Sequence, residues 1–188
     1  QIAHALREAG CQPGDTIALF AENSPRYFEV CWAAQRSGLY FVCISSRLTT
    51  PEVQYIIEDS GSKLLIADAH KSAVAQDVKS VTKLDHYWSI DGDIPGFTAL
   101  ETLQSKFPVT PIPDEMAGTD MLYSSGTTGR PKGIRPPLER NLPIDADNVL
   151  IQICRGLAGV TEDSIYLSPA PLYHAAPLRW SMTMTRLG

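Results

Sequence analysis

Apolar residues fall into short unbroken runs along the first ninety positions, separated by stretches with helical periodicity. Asp15 to Ala21 is one such run, held between Pro13-Gly14 and Asn23-Ser24-Pro25. Leu39 to Ile44 and Lys63 to Ala67 are the next two. Runs of this length, bounded by turn residues, predict buried strands. Between them the apolar positions recur at helical spacing. Ile2, Leu6 and Ala9 share a face and stop at Gly10. Ser24 predicts an N-cap with Pro25 at the first helical position, opening a helix with Tyr27, Val30, Cys31 and Ala34 on one side. A third helix starts at Thr49-Thr50-Pro51-Glu52, by a Thr49/Glu52 capping box or by Thr50 followed by Pro51, and the pattern does not choose. Val53, Ile56 and Ile57 face inward from it, and Gly61 ends it. A weaker helix is expected over Ser72 to Lys79.

Strand, helix, strand, helix, strand at this spacing requires parallel pairing with right-handed crossovers. The fold class is therefore α/β, a layered and mostly parallel sheet flanked by helices. Residues 1–94 are expected to form that sheet-and-helix part. Composition then shifts, because eleven of the 14 prolines lie from Pro95 onward. Residues 95–118 read as a Pro-rich connecting segment in which 109–113 run extended over the surface. Residues 119–188 form a third segment, with a helix predicted over Ile144 to Leu157 and a strand over Ser164 to Ser168.

The 188 residues carry a net charge of −5, are 44% apolar and 20% charged, and so have the balance of an ordinary globular chain. The acidic balance argues against attachment to nucleic acid by charge. No apolar run approaches the roughly 20 residues of a membrane span. Cys11, Cys31, Cys43 and Cys154 have no zinc-site spacing and read as reduced core thiols of a cytoplasmic protein. The chain opens at Gln1 inside a helix and closes at Gly188 just after one, which suggests an excised fragment.

Chemistry is concentrated in one stretch. After Met121-Leu122-Tyr123 come Ser124-Ser125-Gly126-Thr127-Thr128-Gly129-Arg130-Pro131-Lys132-Gly133. Three glycines allow close approach of the backbone to a ligand, four hydroxyls lie among them, and Lys132 supplies a positive charge. Successive N–H groups in such a loop make an anion-binding concavity. A plain surface loop is the bland alternative. The P-loop of ordinary NTPases is disfavoured, because Pro131 precedes Lys132 and Gly133 follows it where that motif has Ser or Thr.

Tyr123 to Gly133 resembles the phosphate-loop signature of the adenylate-forming superfamily, which includes acyl- and aryl-CoA synthetases, luciferases and peptide-synthetase adenylation domains. Ser168 to Leu178, with Tyr173-His174 inside it, resembles that family's next motif. The Gly126-Thr127-Thr128-Gly129 and Tyr173-His174 forms are more like CoA ligases than peptide synthetases. Ile134-Arg135-Pro136-Pro137 departs from the family, which commonly continues toward a Thr-His pair.

The resemblance implies part of the large N-terminal domain of a ligase that converts a carboxylic acid and ATP to an acyl-adenylate and pyrophosphate, then transfers the acyl group to coenzyme A. It implies nucleotide binding by Ser124, Ser125, Gly126, Thr127, Thr128, Gly129, Lys132 and Gly133. Catalytic roles fall to Lys132 and His174, and Mg2+ is expected near the Ser125 and Thr127 hydroxyls. The isolated 188 residues are expected to be inactive. A non-catalytic nucleotide-binding module is the alternative. His4, His70 and His86 are expected to be solvated, Arg130 to lie on the surface, and Trp32 and Trp88 to sit in the core or at its edge. Which acid is used, and the oligomeric state, leave no mark in these residues.

Overall fold

The computed structural model describes residues 1–124, 130–139 and 141–188. They fall into two compact units, Gln1–Ile144 and Asp145–Gly188.

In the first unit the three apolar runs become parallel strands, β1 (Thr16–Phe20), β2 (Tyr40–Ile44) and β3 (Ser62–Asp68). Every residue of β1 and β2 is buried, as a strand covered on both faces requires. Helix α1 (Ile2–Glu8) precedes them. Helix α2 (Pro25–Arg36) is capped by Ser24, whose side chain accepts from the Tyr27 N–H. Helix α3 (Thr50–Ser60) takes the Thr49 register: the Glu52 carboxylate accepts from the Thr49 N–H at 2.8 Å and from its hydroxyl at 2.6 Å. Gly61 ends α3 in the left-handed conformation at φ 64°. Helix α4 (Ser72–Val81) follows β3.

Three strands extend the sheet beyond the sequence-based reading: β4 (His86–Ile90), β5 (Thr98–Ala99) and β6 (Thr119–Asp120). The order is β5-β4-β3-β1-β2-β6, and every pairing is parallel. Moving from β1 to β2 and then back across to β3 and β4 puts α2 on one face and α3 and α4 on the other. The short helix α5 (Leu100–Gln104) packs against α1, and α1 against α2. On the face of α3 and α4 the core joins Ala18 and Phe20, Tyr40, Val42 and Ile44, and Leu65 and Ala67 to Val53, Ile56, Ile57, Ala75 and Val78. The alternation of those strand positions is the two-residue period of a pleated sheet.

Gly118 brings the chain back to this sheet. A Cβ there would lie 2.2 Å from the Leu39 carbonyl oxygen and 2.6 Å from its nitrogen. The glycine lets the backbone pass close enough for Gly118 N–H to reach the Gln35 carbonyl and Thr119 N–H the Leu39 carbonyl. The extended segment expected at 109–113 is not wholly superficial: Val109 is 85% exposed, but Ile112 is buried at 4%.

The second unit contains α6 (Val149–Gly156) and α7 (Ala175–Leu187). α6 starts later than the periodicity predicts, because the Asn148 side chain accepts from the Ile151 N–H and sets the first turn there. The strand expected over Ser164 to Ser168 is not formed: among the described residues it has no ladder partner, and Ile165 is fully exposed. An alternating apolar segment becomes a strand only when a neighbouring strand takes its N–H and C=O groups. His4 and His86 are half-buried rather than solvated. His4 Nε2 lies 2.8 Å from the Thr110 carbonyl oxygen, and its ring stacks on Phe107. His70 is exposed but paired with Asp68. Trp88 is buried, Trp32 half-buried, and all four cysteines are buried free thiols.

Candidate functional site

The chain leaves β6 beside β2, where Met121 N–H donates to the Phe41 carbonyl at 3.0 Å. It enters an antiparallel hairpin of β7 (Leu122–Ser124) and β8 (Lys132–Ile134), paired Leu122 with Ile134, Tyr123 with Gly133 and Ser124 with Lys132. The Gly/Ser/Thr-rich motif thus begins in one strand of a hairpin and ends in the other. Ser124 and Lys132, from opposite ends of the motif, stand across from each other at its mouth, and both are exposed. Ser124 Oγ and the Lys132 carbonyl oxygen are 3.5 Å apart. Ser125, Gly126, Thr127, Thr128 and Gly129, including both hydroxyls assigned to Mg2+, lie outside the described residues.

Gly133 has a packing role that its place in a glycine-rich motif does not announce. A Cβ there would come within 2.6 Å of Met121 Cε and 2.9 Å of Tyr123 Cζ. The cross-strand ring occupies the place of a side chain. Tyr123 Oη donates to Asp59 Oδ2 at 2.6 Å. Burial, then the Asp59 carboxylate, pushes the phenol well above its ordinary range, so it remains a donor. Arg130 is exposed, as expected, with its guanidinium 5.1 Å from the centre of the Tyr55 ring. Tyr55 Oη in turn donates to the Pro131 carbonyl at 3.1 Å. Sequence reasoning read only the apolar face of α3 and missed Tyr55 and Asp59. Their four-residue spacing was visible, but their partners are more than sixty positions away.

The exit from the hairpin is also fastened. Arg135 Nη2 donates to the Gly14 carbonyl at 2.9 Å, and its guanidinium lies 4.1 Å from the centre of the Tyr40 ring. Tyr40 Oη donates to the Pro136 carbonyl at 2.7 Å. The Arg-Pro-Pro sequence is therefore a strap to the start of β2. It borders a cavity of about 590 Å3 lined by Pro13, Gly14, Tyr40, Met116 and Arg135.

In the second unit His174 is the N-cap residue of α7, at φ −90° and ψ 146°, and its side chain makes no capping hydrogen bond. Its carbonyl accepts from Leu178 N–H, while the exposed imidazole lies against Tyr173 with ring centres 4.4 Å apart. Leu178 and Met182 carry the buried face of α7, whereas Arg179 is exposed and Trp180 half-buried. Among the described residues no group of three His, Cys, Asp or Glu side chains is placed to hold a metal ion. No helix among them is long and apolar enough to cross a membrane.

The described residues define an α/β protein in which an open six-stranded parallel sheet leads into a short antiparallel hairpin. The family of AMP-binding enzymes matches residues 1–188, and the chain belongs to that family. It is 32% identical over 182 residues to a feruloyl-CoA synthase of Amycolatopsis sp, covering 95% of this chain and 33% of that protein. It is 33% identical over 134 residues to the fatty acid–[acyl-carrier-protein] ligase ScoC of Streptomyces coeruleorubidus, covering 71% of this chain and 25% of that protein. The inhibitor-bound N-terminal domain of FACL13 from Mycobacterium tuberculosis superposes with a TM-score of 0.74 at 25% identity, covering 98% of this chain and 45% of that one. The chain spans a quarter to a third of the length of these two curated relatives.

Proposed function

We propose that this chain is the phosphate-loop part of an AMP-forming carboxylic acid–CoA ligase. The observation that carries the reading is the hairpin itself. It sets Ser124 and Lys132 opposite each other at the two ends of the motif, in a chain that matches the AMP-binding enzyme family along its whole length. Residues 1–94 would then be the sheet-and-helix part, 95–118 the connection, and 119–188 the phosphate-loop and acyl-pocket segment. The substrates are a carboxylic acid, MgATP and coenzyme A, with activity carried by the complete protein, in the cytoplasm. Fatty and aryl acids are both within the class, as the relatives' names indicate for those proteins.

In the first step a carboxylate oxygen attacks the α-phosphorus of ATP. The bond from that phosphorus to the bridging oxygen breaks, and pyrophosphate leaves with the electron pair. No proton moves. The protein's task is to hold two anions together and to offset charge gathering on the leaving group. Lys132 is a point charge for that purpose, and the loop N–H groups and hydroxyls supply directed donors. In the second step the coenzyme A thiolate sulfur attacks the acyl carbon and AMP leaves. His174 is assigned to orienting the acyl carboxylate. Its exposed ring and its freedom from capping α7 support that role.

Carboxylate-dependent ATP–pyrophosphate exchange by the complete protein, run over a panel of fatty and aryl acids, tests the reading. Exchange that depends on the acid, followed by thioester formation when coenzyme A is added, is the expected result. ATP binding without exchange under any acid would identify a nucleotide-binding module instead.

A further inference from the structure

Helix α3 carries Tyr55 and Asp59 one turn apart, and the i, i+4 spacing sets them on a common side of the helix. Each is tied to a different strand of the hairpin or its approach. Asp59 takes the Tyr123 hydroxyl at 2.6 Å, and Tyr55 gives its hydroxyl to the Pro131 carbonyl at 3.1 Å. Tyr123 immediately precedes Ser124, and Pro131 immediately precedes Lys132. The two ties therefore act on the residues next to the pair that opens the phosphate loop.

A hairpin of two three-residue strands is too short to hold its own geometry in water. Helix α3 has the rigidity it lacks. Its first turn is closed by Glu52 on Thr49, its last by Gly61, and Val53, Ile56 and Ile57 anchor it in the core. Tyr55 and Tyr123 both pack at the rim of that core, so their hydroxyls start from fixed rings. Gly133 presents no cross-strand side chain that would displace the Tyr123 ring.

We propose that Tyr55 and Asp59 are positioning residues for the phosphate loop. They fasten both of its stems to α3, so that Lys132 and Ser124 meet the nucleotide phosphates without further ordering. The proposal rests on the reading of Lys132 as a phosphate ligand given above. Its chemical value follows from how steeply transition-state stabilisation falls when a charged group is displaced by a fraction of an ångström.

The test uses the full-length protein that carries this chain, assayed separately for acyl-adenylate formation and for thioester formation from supplied acyl-adenylate. Tyr55→Phe keeps the ring and removes only the hydroxyl. Asp59→Ala removes the acceptor, and Asp59→Asn keeps an acceptor oxygen. Tyr55→Phe and Asp59→Ala are each expected to lower kcat/KM for MgATP in adenylation about five- to tenfold, the range of one positioning hydrogen bond. Thioester formation stays unchanged, and Asp59→Asn recovers most of the loss. Because Tyr55 acts through Lys132, Tyr55→Phe is expected to add little on a Lys132→Ala background. Equal loss in both half-reactions, full additivity with Lys132→Ala, or no loss in adenylation would overturn the proposal. If Lys132→Ala slows adenylation and Tyr55→Phe does not, the positioning role falls while the phosphate-loop reading stands. If Lys132→Ala leaves adenylation unchanged, the reading beneath it fails and takes the proposal with it.

Discussion

Tyr123 and Gly133 face one another across the hairpin, and a methyl group at Gly133 would lie 2.9 Å from the Tyr123 ring carbon Cζ. Met121 Cε, the nearer neighbour, is the end of a flexible side chain and can swing away. The Tyr123 ring cannot move without giving up Asp59. Gly133→Ala is therefore expected to shift Lys132 relative to Ser124 and to slow adenylation by about tenfold or more, as a displaced charge at a phosphate does. Met121 belongs to the buried core, so the midpoint of thermal unfolding should also fall, but modestly, because only the end of its side chain is displaced. A wild-type rate of acyl-adenylate formation in Gly133→Ala would refute the packing argument.

Gly118 predicts a different outcome. There the obstacle is the Leu39 backbone, whose carbonyl oxygen would stand 2.2 Å from an added methyl carbon, and this buried backbone at the entry to β2, already held by the Thr119 N–H, cannot step aside. Gly118→Ala should detach β6 from β2 and cost about 3 kcal/mol in denaturant unfolding, at the upper end of ordinary overpacking. A loss below about 0.5 kcal/mol, the scale of a neutral surface change, would contradict it.

The contrast between these glycines bears on what the sequence could reveal. β1, β2 and β3 were legible because strands buried on both faces read as continuous apolar runs. The α2 start was legible because Ser24-Pro25 is a local signal, whereas Thr49-Thr50-Pro51-Glu52 announced the α3 start without choosing between the Thr49 and Thr50 registers. β4 (His86–Ile90) was not, since two of its five residues are only half-buried and it carries His, Tyr and Ser. β5 and β6 have two residues each and exist only through their neighbours. In the site, the residue types of the motif were legible but the hairpin that frames it was not. Tyr55, Asp59 and the steric reason for Gly133 depend on contacts between distant parts of the chain, which no local pattern encodes.

Acid should loosen the start of α3. Hydrogen bonds from the Thr49 side chain, then from its backbone N–H, hold the Glu52 carboxyl below its ordinary range. A depressed carboxyl contributes stability above its unfolded value of about 4.3, and that contribution is lost as pH falls through the folded value. Glu52→Gln keeps a neutral acceptor, so the stability difference from wild type should be present near neutrality and shrink toward about pH 3. Denaturant titrations of both proteins across that range check it, and a difference independent of pH would contradict the capping-box account.

His70 gives the opposite sign. A hydrogen bond to Asp68 and the charge of that carboxylate, with smaller contributions from Glu22 and Asp91, raise the imidazole above its ordinary range. A raised histidine contributes stability that is complete below its unfolded value of about 6.5 and is lost as pH rises through the folded value. The advantage of wild type over His70→Gln should therefore be largest near about pH 5.5 and fade by about pH 8.5. An advantage that grew with pH would show that Asp68 does not hold the charged ring.

Single-turnover adenylation by the complete protein, with Lys132→Ala beside wild type, decides whether this hairpin carries a phosphate loop. The products to be followed are acyl-adenylate and pyrophosphate from MgATP and an accepted acid. Expected are AMP-level chemistry in the wild type, a slowing of about a hundredfold in Lys132→Ala, as for loss of one charge-stabilising donor, and normal transfer of supplied acyl-adenylate to coenzyme A. ADP and an acyl phosphate as products, or adenylation at the wild-type rate in Lys132→Ala, would contradict that assignment.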